Sequence, residues 1–451
     1  MTRELLDLAQ TIVERARRGE DLEAFLTHER KFSVKAYLGE VESVSSAEPR
    51  GAGVRVVAGG RAGFAYSTDI SDDGLDSLVQ QARDNAAHAS PDDAVGLAEP
   101  WQRPPEDIAG LVDESQTEVT PDEKVAFSLE LESQTRAHDR RVRAVEEAVY
   151  ADSDAIVAIA TTRGIAGTYR RTDAWCYSIA IATEGDDTQV GFEFDLGRGI
   201  RDLDAAEVAR RAADDALGVL GATKIPSGRM AVVFDPHTAG EFLAVLGSVL
   251  TGEAVQKGRS LFADKLGEKV ASDVLTLVDD GRVVGAPGTE PWDAEGVPTT
   301  RTEVISSGVL SSFLYDVTSA RRGGRASTGN AARAGFKSPP GPSPSNLAFE
   351  PTGHKLEEVL RRAGHALLVK DFHGVHSGAN PISGDFSVGA TGHLLQDGER
   401  AQAVKEVTIA APMLEILSGI EAVADDLRWL PFGGSYGGAT TLVAEMTVAG
   451  S

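Results

Sequence analysis

Residues 367–398 read LLVKDFHGVHSGANPISGDFSVGATGHLLQDG. The apolar run 367–369, extended by Phe372, predicts a short buried strand. Residues 374–384 are rich in Gly, Ser, Asn and Pro, which is typical of an irregular loop. Apolar and small polar residues then alternate over 386–390, and this period of two predicts a half-buried strand. Asp397-Gly398 predicts a tight turn into a further antiparallel strand.

The polar side chains of this stretch allow two interpretations. Asp371, His373, His376 and Asp385 are residue types that bind zinc. The same side chains also hydrogen-bond the backbone of irregular loops. We favour the second interpretation, because a His-x-x-His pair on a loop defines neither a third ligand nor a geometry.

The glycines of the stretch suggest a role for the strand at 386–390. Glycine leaves the backbone bare, so that another chain can approach closely. We therefore expect this strand to present an edge to which an extended peptide or a partner subunit pairs.

The length of the chain, 451 residues, predicts more than one domain. Helix and strand patterns alternate in blocks, which indicates an α+β fold. We predict an N-terminal α/β domain (1–89), a connecting segment (90–120), a central α/β domain (121–224) and a β-rich C-terminal domain (225–451).

The charge of the chain argues against a nucleic-acid partner. The formal net charge is −25, and residues 1–220 alone hold 43 acidic and 24 basic side chains. Proteins that bind nucleic acids normally present a basic face. No stretch approaches 18 continuous apolar residues, so no membrane partner is expected. Cys176 is the only cysteine, which favours a cytoplasmic location.

One loop is basic within this acidic chain. Arg321, Arg322, Arg325, Arg333 and Lys337 follow one another with no acidic residue between them. Such a loop could steer an acidic peptide or pair with an acidic partner face. It is equally well interpreted as a solvated, mobile loop.

A helix is predicted to start at Asp235-Pro236, an N-cap followed by proline. His237 and Glu241 lie one turn apart on one face of this helix. They form either half of an atypical metal site or a surface pair, and we favour the surface pair because no second histidine follows on the helix.

Several motifs together resemble the TldD/PmbA family of bacterial and archaeal proteins, and within it the TldE (PmbA) branch. They are HSGANPISGDFSVGATGHLLQDGE (376–399), AVQKGRS (254–260), LGEKVAS (266–272) and STGNAAR (327–333). The resemblance implies an α/β N-terminal half and a mainly antiparallel β C-terminal half with a central helix.

The resemblance also shows what this chain lacks. In the TldD branch, the corresponding helix carries a His-Glu-x-x-x-His motif, and a Cys-Gly-Lys motif near the C-terminus completes a zinc site. Here the helix reads DPHTAGEFLAVLGS (235–248), and the C-terminal segment reads PFGGSYGG (431–438). Both differences from the TldD motifs remove metal ligands, which indicates that this chain has lost the metal chemistry. We therefore expect no catalytic residue, metal ligand or cofactor in this chain, and zinc in a TldD-like partner.

The resulting prediction is a TldE-like, metal-free subunit of a heteromeric zinc metallopeptidase. It would complete the chamber of a TldD-like catalytic partner that processes unfolded peptides or peptide natural-product precursors, and it would not be catalytic alone. Two alternatives stay open: a stand-alone metal-dependent hydrolase that uses His237, Glu241, His373 or His376, and a non-enzymatic homodimeric binding protein. The residues predicted to bind peptide or partner are Asn330, Arg333, His376, Ser377, Asn380, Asp385, Phe386 and Ser387.

Overall fold

The computed structural model describes residues 2–431 and 433–450 and has the predicted α+β fold. The helices are α1 (Thr2–Val13), α2 (Asp72–His88), α3 (Pro121–Ala137), α4 (Ala205–Gly218), α5 (Pro236–Gly247), α6 (Gly252–Gln256), α7 (Val317–Arg322), α8 (Leu356–Ala363), α9 (Val375–Gly378) and α10 (Met413–Gly419).

The strands of the first half are β1 (Asp21–Tyr37), β2 (Glu40–Ala47), β3 (Arg50–Ala58), β4 (Arg61–Ser67), β5 (Val142–Thr161), β6 (Ala166–Glu184) and β7 (Asp187–Gly197). Those of the second half are β8 (Gly228–Phe234), β9 (Leu277–Asp280), β10 (Arg301–Ser306), β11 (Val309–Leu310), β12 (Ala331–Ala332), β13 (Gly341–Pro342), β14 (Leu347–Phe349), β15 (Ala366–His373), β16 (Ala379–Asn380), β17 (Asp385–Gln396), β18 (Glu399–Pro412), β19 (Ile420–Val423), β20 (Arg428–Leu430), β21 (Tyr436–Gly438) and β22 (Thr441–Ala449).

The contacts divide the chain into two compact units. Unit one contains residues 1–217, 290–299 and 315–341, and unit two contains the remainder. One antiparallel sheet in the order β4-β3-β1-β5-β6-β7 runs through both the predicted N-terminal domain and the predicted central domain. Strand β1 pairs with β5 from Glu23↔Thr161 to Ala36↔Ala148. Pairing over such a separation leaves no trace in local sequence periodicity.

Helices α1 to α4 cover one face of this sheet. Alternate residues of β1 supply the apolar side of the sheet: Leu22, Ala24 and Leu26 pack in the core with α1 and α2, and Val34 and Ala36 pack in the core with α3 and α4. The opposite face at Phe25, Val157 and Ile159 is covered by Trp292, Ala294, Val317 and Ala331. The segments 290–299 and 315–341, predicted as part of the C-terminal domain, therefore belong to the first unit.

Unit two contains a sheet that closes on itself. The order β15-β8-β22-β18-β17 is completed by pairing between β17 and β15. Strands β8 and β15 are parallel, whereas the other pairs of this ring are antiparallel, as predicted. A second sheet has the order β11-β10-β9-β14-β21-β20. Helix α5 contacts strands of both sheets.

The core beside α5 is aromatic. Phe234 of β8, Phe242 of α5, Phe372 of β15 and Phe386 of β17 form a chain of ring contacts with centroids 5.4–5.8 Å apart. Edge-to-face contacts of this kind stabilise the core beyond simple area burial. They hold the start of α5 and the end of β15 in fixed positions.

Among the described residues, none of the helices is both long enough and apolar enough to cross a membrane.

Candidate functional site

Helix α5 begins as the sequence predicts. Asp235 is the N-cap, its carboxylate accepts a hydrogen bond from the Thr238 backbone N–H at 3.0 Å, and Pro236 occupies the first turn. Phe242, Leu243 and Leu246 are buried. His237 and Glu241 lie on the partly exposed side, and their Nε2 and Oε1 atoms are 3.4 Å apart.

The end of β15 lies against this first turn. Lys370 Nζ is 2.8 Å from Asp235 Oδ2, which neutralises the N-cap carboxylate. Asp371 Oδ2 is 3.5 Å from His373 Nδ1, and the other ring nitrogen of His373 is 2.8 Å from Thr391 Oγ1. We call the set the α5–β15 cluster; its members are Asp235, His237, Glu241, Lys370, Asp371 and His373.

The charged side chains of the α5–β15 cluster shift the pKa values of His237 and Asp371. Burial opposes charge on His237, but the hydrogen bond and attraction from Glu241, with Asp235 and Asp371 nearby, raise its pKa overall. Burial also raises the pKa of Asp371, and repulsion from Glu241 and Asp235 acts in the same direction, against the attraction of the histidines. The acidic and basic side chains of the cluster therefore neutralise one another's charge, in agreement with the ion pairs His237–Glu241, Lys370–Asp235 and His373–Asp371.

These residues do not fit a zinc site. Within residues 2–431 and 433–450, no group of three or more His, Cys, Asp or Glu side chains is arranged to hold a metal ion. A zinc site requires at least three protein ligands around one point. Here His237 faces Glu241, His373 faces Asp371 and Thr391, and the Lys370 ammonium lies on Asp235.

Several polar side chains of the loop between β15 and β17 form hydrogen bonds within the loop. Ser377 Oγ donates to the Gly374 carbonyl at 3.1 Å. Asn380 Oδ1 accepts from the backbone N–H groups of Ile382 and Ser383, and Asp385 accepts from Ser383 Oγ at 2.6 Å. Asp385, which was predicted to hydrogen-bond within the loop, does so. Ser377 and Asn380, which were predicted to bind a peptide or partner, also form hydrogen bonds within the loop. Of these predicted binding residues, Ser377, Asn380 and Asp385 are exposed, as are His376 and Ser387.

The prediction that the strand at 386–390 presents a free edge is wrong. Strand β17 pairs with β18 on one side, and with β16 and β15 in succession on the other. A Cβ atom on Gly378 would approach the Ser387 carbonyl oxygen to 2.1 Å, so the loop also closes over the gap between β16 and β15. Phe386 is only 2 % exposed and packs on Phe242 and Phe372, so it is a core residue and not a peptide contact.

The two predicted binding residues of the STGNAAR segment are also buried. Asn330 is 2 % exposed, and its Oδ1 accepts from Thr328 Oγ1 at 2.6 Å. The Arg333 side chain is 1 % exposed and pairs with Glu23 on β1. Neither side chain fits direct contact with a peptide, because both are directed into unit one.

Arg333 belongs to a buried ionic network. Arg55 on β3 bonds Glu23 Oε2 at 2.7 Å, and its other terminal nitrogen is 2.8 Å from Glu295 Oε1. Burial raises the pKa of Glu23, but attraction to Arg333 and Arg55 lowers it overall. The network therefore ties the segments 290–299 and 315–341 to the sheet of unit one.

The basic loop is largely neutralised. Arg321 lies 3.6 Å from Glu99 and donates to the Leu97 carbonyl, and Arg322 bonds Asp92. The sequence shows no acid within the loop, but the fold supplies acids from residues 92–99. An interpretation of this loop as a free basic surface is therefore not supported at Arg321, Arg322 or Arg333.

Sequence reasoning missed the charge partners within the α5–β15 cluster. From the sequence, Asp235 is predicted only as an N-cap, and no role is predicted for Lys370. The one available signal was a lysine inside the apolar run of β15, since a charged side chain in a buried strand usually has a partner.

Comparison with known proteins adds three family-model matches. Residues 22–86 match the PmbA/TldA metallopeptidase domain 1, residues 114–220 match the central domain, and residues 227–450 match the C-terminal domain.

Curated relatives cover nearly the whole chain. The metalloprotease PmbA of Escherichia coli O157:H7 is 28% identical over 423 residues, which cover 93% of this chain and 90% of the relative. A TldD homologue of Haemophilus influenzae, also named a metalloprotease, is 28% identical over 389 residues, or 83% of this chain and 79% of the relative. Relatives of both branches are therefore similar to the chain.

Solved structures show the same fold. A suggested modulator of DNA gyrase from Thermotoga maritima has a TM-score of 0.89 and 25% identity, and each chain is covered to 100%. TldE from Thermococcus kodakarensis has a TM-score of 0.87 and 23% identity, again with 100% of both chains covered.

Proposed function

The chain belongs to the PmbA/TldD family of metallopeptidases, and from that premise we propose that it is the metal-free, TldE-like subunit of a heteromeric peptidase. A TldD-like partner would supply zinc and the general base. This chain would complete the chamber in which unfolded peptides or peptide precursors are cut, in the cytoplasm.

One observation carries the proposal: the α5–β15 cluster is internally paired where a catalytic member would need free ligands. His237 and Glu241 face each other at 3.4 Å, and Lys370 lies 2.8 Å from Asp235. An ammonium group at this point adds positive charge, which disfavours a metal cation beside it. Farther along α5 come Ala244, Val245 and Leu246, which can neither bind a metal nor accept a proton.

Metal analysis of the purified chain tests the first half of the proposal. We expect well under one equivalent of zinc, and no change when His237 or His376 is replaced by alanine. The exposed His88 serves as the control position. A full equivalent of zinc that disappears in His237→Ala would overturn the metal-free assignment.

Reconstitution tests the second half. The chain alone should not cleave an unfolded peptide such as reduced casein, whereas a mixture with a TldD-like protein carrying His-Glu-x-x-x-His should cleave it. Loss of cleavage when the partner's motif is mutated, and not when His237→Ala is introduced here, would assign the chemistry to the partner.

A stand-alone hydrolase remains the second candidate because of one atom. Glu241 Oε2 is buried and, within the part of the chain that the structure describes, has no hydrogen-bond partner. Such a carboxylate beside His237 could accept a proton from a bound water. Peptidase activity of the chain alone, lost in Glu241→Gln, would establish this alternative over the first.

A further inference from the structure

The hairpin β1–β2 in unit one is exposed to an unusual degree. Residues 40–47 of β2 are exposed at every position. Within the described residues, β2 forms a ladder with β1 alone, so its outer edge carries free backbone N–H and C=O groups. A register shift falls at Glu42, which leaves residues 43–47 as the regular part of that edge. Free edges of this kind are pairing sites for another chain.

Apolar side chains are concentrated on the same hairpin. Leu38 is 63 % exposed at the tip, and Val41 and Val44 of β2 are 40 % and 52 % exposed. Val41 and Val44 pair with Ala36 and Val34, which are buried beneath α3 and α4. The two valines therefore extend the apolar core surface beyond the part that this chain covers.

The hairpin tip has a backbone conformation that its side chain does not favour. Leu38 and Gly39 have φ angles of 52° and 78°, so the turn needs two left-handed residues. Asn, Asp or Gly is preferred at the first of these positions, and Leu is disfavoured there. An exposed leucine at an unfavourable φ gains nothing within this chain, which suggests that the side chain is used by a partner.

A pocket of about 470 Å³ lies beside the tip, and it holds an incompletely paired acid. It is lined by Gly39 and by α3, including Leu129, Glu132 and Arg136. Glu132 is 1 % exposed. Its Oε1 is 3.4 Å from Arg136 Nη1, which is longer than a strong ion-pair hydrogen bond. Its Oε2 is buried and has no hydrogen-bond partner among the residues that the structure describes. A buried carboxylate of this kind favours a cation that completes its pairing.

The charge of the chain decides which kind of partner suits this surface. A second copy would bring a further net charge of −25, and β2 itself carries Glu40 and Glu42 but no basic residue. A different protein can supply a lysine or arginine that pairs with Glu132, and an extended segment that pairs with the free edge of β2. Exposed apolar side chains promote aggregation unless another protein covers them. This favours a lasting contact with a subunit over a transient contact with a substrate.

We propose that the hairpin surface, formed by residues 37–47 and the α3 pocket at Glu132, docks the TldD-like catalytic subunit. That subunit contributes an extended segment that pairs with β2 and a lysine or arginine side chain that bonds Glu132. The proposal rests on the proposed function, because it assigns the surface by which the two subunits meet.

The test uses the full chain and a TldD-like protein from the same organism, with affinity measured by calorimetry at two salt concentrations. We expect Val44→Lys and Leu38→Asn each to weaken binding at least about tenfold. Glu132→Gln should weaken it by a similar factor and flatten its salt dependence, since one charge pair is lost. Hydrogen exchange at residues 43–47 should slow in the wild-type complex.

Two matched variants serve as controls. Val190→Lys puts the same charge on β7, the opposite edge strand of the same sheet, where Val190 is 55 % exposed. Asp122→Asn removes a carboxylate from α3 about 15 Å from Glu132 along the helix axis. Both should bind as wild type does, and all variants should unfold cooperatively.

The outcomes separate the two proposals. If wild type binds and every hairpin variant binds equally well, the surface is overturned and the proposed function stands. If wild type shows no binding, the proposed function falls and this inference with it. If wild type alone is a dimer that Val44→Lys makes monomeric, the surface pairs two copies and the choice of partner is wrong.

Discussion

At the scale of single residues, burial reverses several roles that the sequence suggests. Arg333 and Phe386 lie in motifs that resemble a binding site, yet one completes a buried ion network and the other fills an aromatic core. A motif reports that a residue type is required. It does not report whether the requirement comes from a ligand or from packing.

Arg333→Met should destabilise the protein by about 3–5 kcal/mol, because removing one member of a buried ion pair leaves Glu23 with too little compensation. Arg325→Met, at an exposed position of the same loop, should change stability by less than about 0.5 kcal/mol. Urea unfolding followed by circular dichroism measures both. Equal stability of the two variants would show that Arg333 is not part of a buried network.

His393 should make the protein sensitive to acid. Burial lowers its pKa in the folded state, while its ring donates to the Gly218 carbonyl at 2.9 Å. The unfolded chain takes up a proton near pH 6.5 and the folded chain resists it, so stability is lost as the pH falls. The loss approaches about 1.4 kcal/mol per pH unit below that value, until the folded state also protonates.

His393→Gln should remove this part of the pH dependence between pH 7.5 and 5.5, as measured by urea unfolding at each pH. His237 must be left intact in that comparison, because its raised pKa contributes with the opposite sign, stabilising at low pH. A pH profile unchanged by His393→Gln would contradict the assignment.

At the scale of elements, turns formed by neighbouring residues are predictable from the sequence, whereas pairing between distant strands is not. The Asp397-Gly398 turn joins β17 and β18 with φ angles of 54° and 83°, as the sequence predicts. The partners of β17 on its other side were not predicted, because periodicity gives the faces of a strand and not its neighbours.

The Leu38-Gly39 turn should therefore be improvable. Leu38→Asn replaces a disfavoured left-handed leucine and should raise stability by about 1 kcal/mol. Asp397→Leu makes the reverse change in the equivalent turn of unit two and should lower stability by a similar amount. Both shifts are measured by thermal unfolding; a loss of stability in Leu38→Asn would mean that Leu38 already stabilises this chain.

At the scale of the whole molecule, the net charge of −25 should prevent binding to duplex DNA at physiological salt. The basic loop does not offset this charge, because Arg321, Arg322 and Arg333 are paired with acids within unit one. A gel-shift assay at 150 mM salt should show no complex. Tight binding that weakens steeply with salt would support a role on DNA.

The sequence by itself determined the α+β class, the start of α5, the Asp397-Gly398 turn, the family resemblance and the absence of a second histidine on α5. These follow from periodicity, cap residues and motif letters, which act over a few neighbouring positions. Tertiary structure alone decided that β17 has no free edge, that Arg333 pairs with Glu23 and that β2 is left exposed. Each of these depends on residues that are distant in the chain, and the free energy of such contacts exists only once the chain has folded.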